Sequence, residues 1–144
     1  MRNIIISVLA IFISACGSYN FVATPAPKEI VTMVYTTQSP SGSKTWRLIN
    51  DNLKVAITSK SRSGKVTSSK TIIATYDQFE LMVTNLEKSK FTESKSIPAN
   101  SRTQTSETLI IETHAKTYTY TQNSTTRFPR GIQQAVSYIT GTYK

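Results

Sequence analysis

Between residues 30 and 74, apolar side chains alternate with polar ones, as they do in β-strands that bury one face. Valine, isoleucine, threonine and aromatic residues, which favour strands, are frequent in this part of the chain. Four segments carry the pattern: 30–37, 44–49, 53–58 and 66–74. Proline, glycine, asparagine and aspartate residues separate the first three of them and predict tight turns. The pattern therefore predicts four strands joined by short connections.

The period of the pattern changes at Thr75. Thr75 and Gln78 have the spacing of a capping box, and Asp77 places a negative charge in the first turn, where the helix dipole favours it. The apolar residues then follow at positions i, i+3, i+4 and i+7: Phe79, Met82, Val83 and Leu86. This spacing predicts a helix of about 13 residues with one apolar side.

The second half of the chain begins with a polar stretch, 92–106, that predicts a long loop. After it, the apolar segment 109–112 predicts a strand, and Tyr118 and Tyr120 alternate with threonines in another. We expect these two strands to form a hairpin closed by residues 114–116.

A second helix is predicted near the C-terminus. Pro129 suits the first turn of a helix, and Gly141 suits its end. The apolar residues between them have helical spacing: Ile132, Ala135, Val136 and Ile139. The order of elements is thus strands, helix, hairpin, helix. It predicts an α+β fold, in which an antiparallel sheet of about five or six strands carries two helices packed on one face.

The first 16 residues have a different character. Arg2 precedes an apolar run at 4–13, which is too short to cross the roughly 30 Å hydrocarbon core of a bilayer as a helix. The small residues Ser14 and Ala15 follow, and next to them lies Cys16, the chain's only cysteine. This order is typical of a secretory signal peptide that ends at Cys16.

The sequence Ile13-Ser14-Ala15-Cys16 resembles the lipobox of bacterial lipoproteins, and the layout of the chain resembles small uncharacterised lipoproteins of the cell envelope. The resemblance implies cleavage before Cys16 and acylation of Cys16, so that the protein is anchored in a lipid bilayer. We therefore divide the chain into a signal peptide (1–15), a lipidated cysteine with a flexible tether (16–29) and a single α+β domain (30–144). The rival interpretations are a cleaved secretory signal with a cysteine that is not modified, and a cysteine that is buried in the core.

Position 17 bears on the location of the protein. In the sorting pattern of this family, an aspartate after the lipidated cysteine retains the protein at the inner membrane, whereas this chain has Gly17. The resemblance thus implies the outer membrane, with the periplasmic face of the inner membrane as the alternative.

The net positive charge of the chain indicates which kinds of binding partner to expect. Its 17 basic and 8 acidic side chains give a formal net charge of +9, and cleavage before Cys16 removes one basic residue, Arg2. A positive protein at a membrane favours anionic head groups, peptidoglycan carboxylates or an acidic protein surface. Nucleic acid is not an expected partner in that compartment.

Few residues suit catalysis. The chain has one histidine, His114, which would share a strand face with Glu112, and a nearby serine or threonine would complete a hydrolytic site. The alternative is that both residues face solvent beside a turn. One histidine and one cysteine do not supply a zinc site, and the isolated glycines do not form a phosphate-binding loop. We therefore predict no catalytic residue, no metal and no cofactor.

Two groups of residues are candidates for ligand contact. The densest basic cluster comprises Lys60, Arg62, Lys65 and Lys70. The aromatic candidates are Tyr118, Tyr120, Tyr35 and Trp46, and His114 on the predicted hairpin is a further candidate contact. The basic cluster suits a head group or a wall polymer, although a solvated hairpin tip has the same composition. The tyrosines suit stacking on a sugar or peptide, although alternating aromatic residues usually pack across strands.

These observations predict a lipid-anchored envelope protein that acts as a non-enzymatic binding or structural domain. Its ligand would be an envelope protein or peptidoglycan. An envelope hydrolase that uses His114 is one alternative. An inhibitor that presents the loop at 92–106 to a hydrolase is another.

Overall fold

The computed structural model describes residues 30–98 and 104–144, and the predicted signal peptide and tether, including Cys16, lie outside them. In chain order the described elements are β1 (Ile30–Ser39), β2 (Gly42–Ile49), β3 (Lys54–Ser61), β4 (Val66–Ile73), α1 (Tyr76–Lys88), a 3₁₀ turn (Phe91–Glu93), β5 (Ile97–Pro98), β6 (Ser106–Thr113), β7 (Thr117–Gln122), β8 (Thr126–Arg127) and α2 (Arg130–Thr142).

Six of the strands form one antiparallel sheet in the order β4-β3-β2-β1-β6-β7. The first strand of the domain lies inside the sheet, between β2 and β6. Met33 in β1 is opposite Leu48 on one side and Ile111 on the other. The predicted α+β class and the six-stranded antiparallel sheet are therefore confirmed.

One face of the sheet is covered by both helices. Alternate strand residues such as Trp46, Leu48 and Ile57 are buried, and they belong to the same apolar cluster as the stripes of the two helices. The helix residues in this cluster are Phe79, Met82, Val83, Leu86, Ile132, Ala135, Val136 and Ile139. Burial of each large apolar side chain contributes about 1.5–3 kcal/mol, so this single covered face supplies most of the driving force for folding.

The capping box at the start of α1 is confirmed. The Gln78 amide donates to Thr75 Oγ1 at 3.3 Å, and the Thr75 amide donates to Gln78 Oε1 at 3.2 Å. Asp77 lies in the first turn, and the helix has the predicted 13 residues. Lys90, with a positive φ of 53°, then redirects the chain into the 3₁₀ turn.

The end of α2 differs from the prediction. The helix continues through Gly141 to Thr142, and Tyr143 is its C-terminal cap. Tyr143 is buried, and its carbonyl oxygen accepts a hydrogen bond of 2.8 Å from the Trp46 indole. Docking of the C-terminus on the sheet therefore extends the helix past a residue that commonly ends one.

The predicted long loop at 92–106 also contains more structure than its composition suggests. It includes part of the 3₁₀ turn and the short strand β5, which pairs with β8, and β6 begins at Ser106. Residues 99–103 of this loop lie outside the described residues. In residues 30–98 and 104–144, helices of the length and apolar character that a membrane crossing requires do not occur.

Candidate functional site

The two ends of the sheet carry different residues, and we name them by the start of β1. The proximal end, where β1 begins at Ile30, contains the β2–β3 turn at 50–53 and the β6–β7 turn at 114–116. The distal end contains the β1–β2 turn at 40–41 and the β3–β4 turn at 62–65. An eight-residue strand such as β3 is about 26 Å long, so the two ends are well separated.

A group of cations occupies the distal end on the β2, β3 and β4 side of the sheet. We call Lys60, Arg62 and Lys65 the basic distal surface, and all three are exposed. Lys44 is at the same end but on the covered face, because it lies two residues before buried Trp46 in β2. Its Nζ is 4.6 Å from the centre of the Trp46 ring. A group of exposed positive side chains raises the local concentration of anions and steers them to the surface.

The β3–β4 turn holds two of these cations in place. The Ser61 amide donates to the Lys65 carbonyl at 2.9 Å, and the Gly64 amide donates to the Ser61 carbonyl at 2.9 Å. Gly64 has a φ of 82°, a conformation that side chains other than glycine rarely adopt. The hydroxyls of Ser61 and Ser63 are 2.9 Å apart beside Arg62. The turn therefore presents guanidinium, ammonium and hydroxyl groups together.

An acidic residue at the same end, Glu107, lies away from these cations. It is on β6, three strands from β3 in the sheet order and thus about 14 Å away across the sheet. Its Oε2 accepts a hydrogen bond of 2.8 Å from the Tyr35 hydroxyl. Burial and this carboxylate together raise the pKa of Tyr35 well above its ordinary value.

The structure separates Lys70 from the other members of the predicted cluster. Lys70 is opposite Ile57, a buried residue of the covered side, whereas Lys60 is opposite Ser43 on the other face. The ammonium of Lys70 donates to the Lys144 carbonyl at 3.2 Å. The basic distal surface therefore keeps three of the four predicted cations.

The predicted tyrosines lie in the packing of the covered side. Tyr120 is buried, and its hydroxyl donates to the Phe91 carbonyl. Tyr118 contacts the Phe91 ring edge-on, with the ring centres 5.3 Å apart, and Lys116 Nζ lies 5.3 Å from the Tyr118 ring. Burial, followed by the neighbouring Tyr118, raises the pKa of Tyr120. These contacts favour the packing interpretation over ligand stacking.

His114 lies at the proximal end. It is exposed in the β6–β7 turn, and Glu112 is exposed two residues before it, at the end of β6. The turn is tied by Thr113, whose Oγ1 donates to the Lys116 carbonyl at 2.8 Å and accepts the Lys116 amide at 3.0 Å. His114 is therefore about one strand length from the basic distal surface.

The uncovered face of the sheet carries a feature that the sequence did not predict. A row of hydroxyl residues crosses all six strands, one on each: Ser69, Thr58, Thr45, Thr36, Thr108 and Thr121. The hydroxyls of Thr36 and Thr45 are 3.1 Å apart. The frequent threonines were visible in the sequence, but their alignment depends on the register between strands whose paired residues are up to 72 positions apart, as Thr36 and Thr108 are.

Residues 30–98 and 104–144 contain no group of three or more His, Cys, Asp or Glu side chains that could hold a metal ion. Comparison of the chain with protein-family models finds no match, and comparison with curated proteins finds no relative.

Proposed function

We propose that the chain is a lipoprotein of the bacterial cell envelope, in which Cys16 is acylated and residues 30–144 form a non-enzymatic binding domain. The observation that carries this proposal is the placement of the only cysteine directly after Ile13-Ser14-Ala15, behind one basic residue and an apolar run. Acylation of the sulfur and of the new N-terminus attaches the protein stably, since two or more acyl chains are needed for a lasting anchor.

The position of β1 determines where the tether joins the domain. Thirteen residues separate Cys16 from Ile30. Because Ile30 is at the proximal end of the sheet, the tether would join the domain at that end, and the distal end is the one farther from the point of attachment.

The surroundings of the candidate residues support binding rather than catalysis. His114 is exposed in a turn, and Tyr118 and Tyr120 contribute to packing instead of lining a site. By contrast, Arg62 and Lys65 are exposed on a turn that is closed by backbone hydrogen bonds. Fixed, solvent-exposed charges of this kind suit recognition of an anionic partner.

We propose that the acylated Cys16 is anchored in the outer membrane. Gly17 follows the acylated cysteine, and it lacks the carboxylate that retains lipoproteins of this kind at the inner membrane. The domain would then extend from the outer membrane into the envelope.

Acylation is tested with the full chain expressed in a Gram-negative host that is fed a labelled palmitate analogue. We expect a labelled protein that sediments with membranes, and an intact mass that corresponds to Cys16 with its acyl groups as the first residue. The Cys16→Ser variant should carry no label. A matched control, Cys16→Ser combined with Ser18→Cys, keeps a cysteine two residues away but disrupts the motif, and it should also remain unlabelled. An intact signal peptide or an unmodified thiol in the wild-type protein would contradict the proposal.

The absence of catalysis is tested separately with a panel of ester, amide and glycoside substrates. We expect the purified wild-type protein to show no turnover above that of the His114→Ala variant. Turnover that disappears in His114→Ala, while the variant keeps its thermal unfolding midpoint, would establish a hydrolase instead.

A further inference from the structure

Charge is distributed unevenly between the two ends of the six-stranded sheet. At the proximal end, the strand ends and connecting turns carry two basic and two acidic residues, which balance: Lys54, Lys116, Asp51 and Glu112. At the distal end, the corresponding residues give a net charge of +2: Lys60, Arg62, Lys65 and Glu107. The excess positive charge of the sheet is thus concentrated at the end opposite the start of β1.

The chemistry of the basic distal surface suits an anionic ligand such as a carboxylate. The planar guanidinium of Arg62 can bind a carboxylate through two parallel hydrogen bonds, and Lys60 and Lys65 add charge nearby. The neighbouring hydroxyls of Ser61 and Ser63 offer donors and acceptors for amide or sugar groups. Glu107 does not compete at close range because it lies three strands away and accepts a hydrogen bond from Tyr35.

The sheet also separates the basic distal surface from the point where the tether joins the domain. The two lie about 26 Å apart, at opposite ends of the sheet. A carboxylate polymer on the side of the domain away from the tether can therefore contact the basic distal surface directly. In the cell envelope, peptidoglycan is a polymer with carboxylates on its peptide stems.

We infer that the basic distal surface binds the carboxylates of peptidoglycan while Cys16 holds the opposite end of the domain at the membrane. The inference rests on the proposed lipid anchor, since the anchor determines which end faces the wall. The protein would then connect a bilayer to the cell wall, and β1 would lie between the lipid anchor and the basic distal surface.

The test measures co-sedimentation of the full-length protein, purified in a neutral detergent, with isolated peptidoglycan sacculi. The distal variant, Arg62→Gln with Lys65→Gln, removes two charges from the β3–β4 turn. The matched control, Lys54→Gln with Lys116→Gln, removes two exposed charges from the proximal end. We expect the distal variant to bind roughly tenfold or more weakly, because each cation near an anionic surface contributes about 1 kcal/mol. The control should stay within about twofold of the wild type, since its charges lie at the far end.

Two further probes identify the ligand chemistry. Sacculi whose carboxylates have been converted to amides should bind the wild-type protein roughly tenfold less, and vesicles that contain phosphatidylglycerol should show a smaller difference between the wild type and the distal variant than sacculi do. Equal losses in the two double variants would overturn the inference, since net charge alone would then explain binding. Distal-dependent binding to the vesicles without binding to sacculi would overturn it in favour of lipid head groups.

The inference and the proposed anchor fail in distinguishable ways. Palmitate label without binding to sacculi would contradict only the wall contact. Binding to sacculi by a protein without label would contradict only the anchor. Far-ultraviolet circular dichroism and thermal unfolding of both double variants should match the wild type, because all four side chains are exposed.

Discussion

The two faces of the sheet are built from alternate residues of the same strands, yet they have opposite roles. In β2, Trp46 and Leu48 are buried under the helices, whereas Thr45 and Arg47 between them lie on the uncovered face. Both faces have side chains that favour strands, so the backbone does not distinguish between them. The difference shows that helix coverage, rather than strand propensity, decides which residues stabilise the fold and which remain available to a ligand.

Polar groups on the two faces are also satisfied differently. On the covered side, the Trp46 indole donates to the Tyr143 carbonyl and the Tyr120 hydroxyl donates to the Phe91 carbonyl. The Tyr143 hydroxyl is buried without a hydrogen-bond partner. On the uncovered face, water can complete the hydrogen bonds of the threonine hydroxyls, so a lost partner has little cost there.

The largest difference between the two faces in the free energy of unfolding is expected from substitutions of adjacent residues of β2. Leu48→Ala removes a fully buried side chain and should lower the free energy of unfolding by about 2–5 kcal/mol. Arg47→Ala, one residue away on the uncovered face, should change it by less than about 0.5 kcal/mol. Urea unfolding followed by tryptophan fluorescence measures both. Comparable losses in the two variants would contradict the assignment of the faces.

A smaller effect on stability is expected from substitutions at the contact between α1 and α2, the two helices that pack on the sheet. A Cβ at Gly131 would overlap the Ser89 side chain at the end of α1, so Gly131→Ala should destabilise by about 1–3 kcal/mol. At Gly141, in the same helix, a Cβ meets no atom within 4 Å. Gly141→Ala should therefore stabilise by about 0.5–1 kcal/mol, as alanine does in a helix. Thermal unfolding gives both signs, and stabilisation by Gly131→Ala would show that the helices are not in close contact there.

The covered side should also make stability sensitive to alkali. The pKa of Tyr35 is raised first by burial and then by the hydrogen bond to Glu107, so the unfolded chain loses this proton more readily than the folded one. The contribution of Tyr35 is thus complete below about pH 10 and declines as the pH rises above it, by at most about 1.4 kcal/mol per unit. Denaturant unfolding between pH 8 and pH 11.5 measures the decline, and Tyr35→Phe should flatten it. Parallel curves for the two proteins would exclude Tyr35 as a cause.

The smallest expected effects on stability come from removing the hydroxyls of two buried tyrosines, Tyr120 and Tyr143, and the two effects should differ. Tyr120→Phe removes a hydroxyl that bonds to Phe91 and should destabilise by about 1 kcal/mol. Tyr143→Phe removes a hydroxyl that has no partner, so it should leave stability unchanged or raise it by up to about 1 kcal/mol. A loss at Tyr143 that equals the loss at Tyr120 would indicate a bound water or another unrecognised partner at that hydroxyl.

Local patterns in the sequence account for most of the fold. The alternation in β2 and β3, the capping box at Thr75 and the helical stripes each depend on residues a few positions apart. The end of α2 was mispredicted at Gly141, because the docking of Tyr143 against Trp46 joins residues 97 positions apart. Signals of that range are not contained in local periodicity.

The candidate site, like the fold, could be predicted only where it depends on residues that are close in sequence. Lys60, Arg62 and Lys65 are close in sequence across a turn, and the structure keeps them together at the distal end. Lys70 was grouped with them by sequence distance, but its position opposite Ile57 in the β-strand alternation places it on the other face. The hydroxyl row could not be predicted because it requires the register of all six strands.

The placement of β1 has a mechanical consequence. A pull on the chain before Ile30 that is directed along β1 acts on a strand that is hydrogen-bonded to β2 on one side and to β6 on the other. Such a force loads both rows of bonds in shear at the same time, whereas an edge strand has one row only. The central position of β1 therefore gives the N-terminal attachment more resistance to tension than an edge strand would.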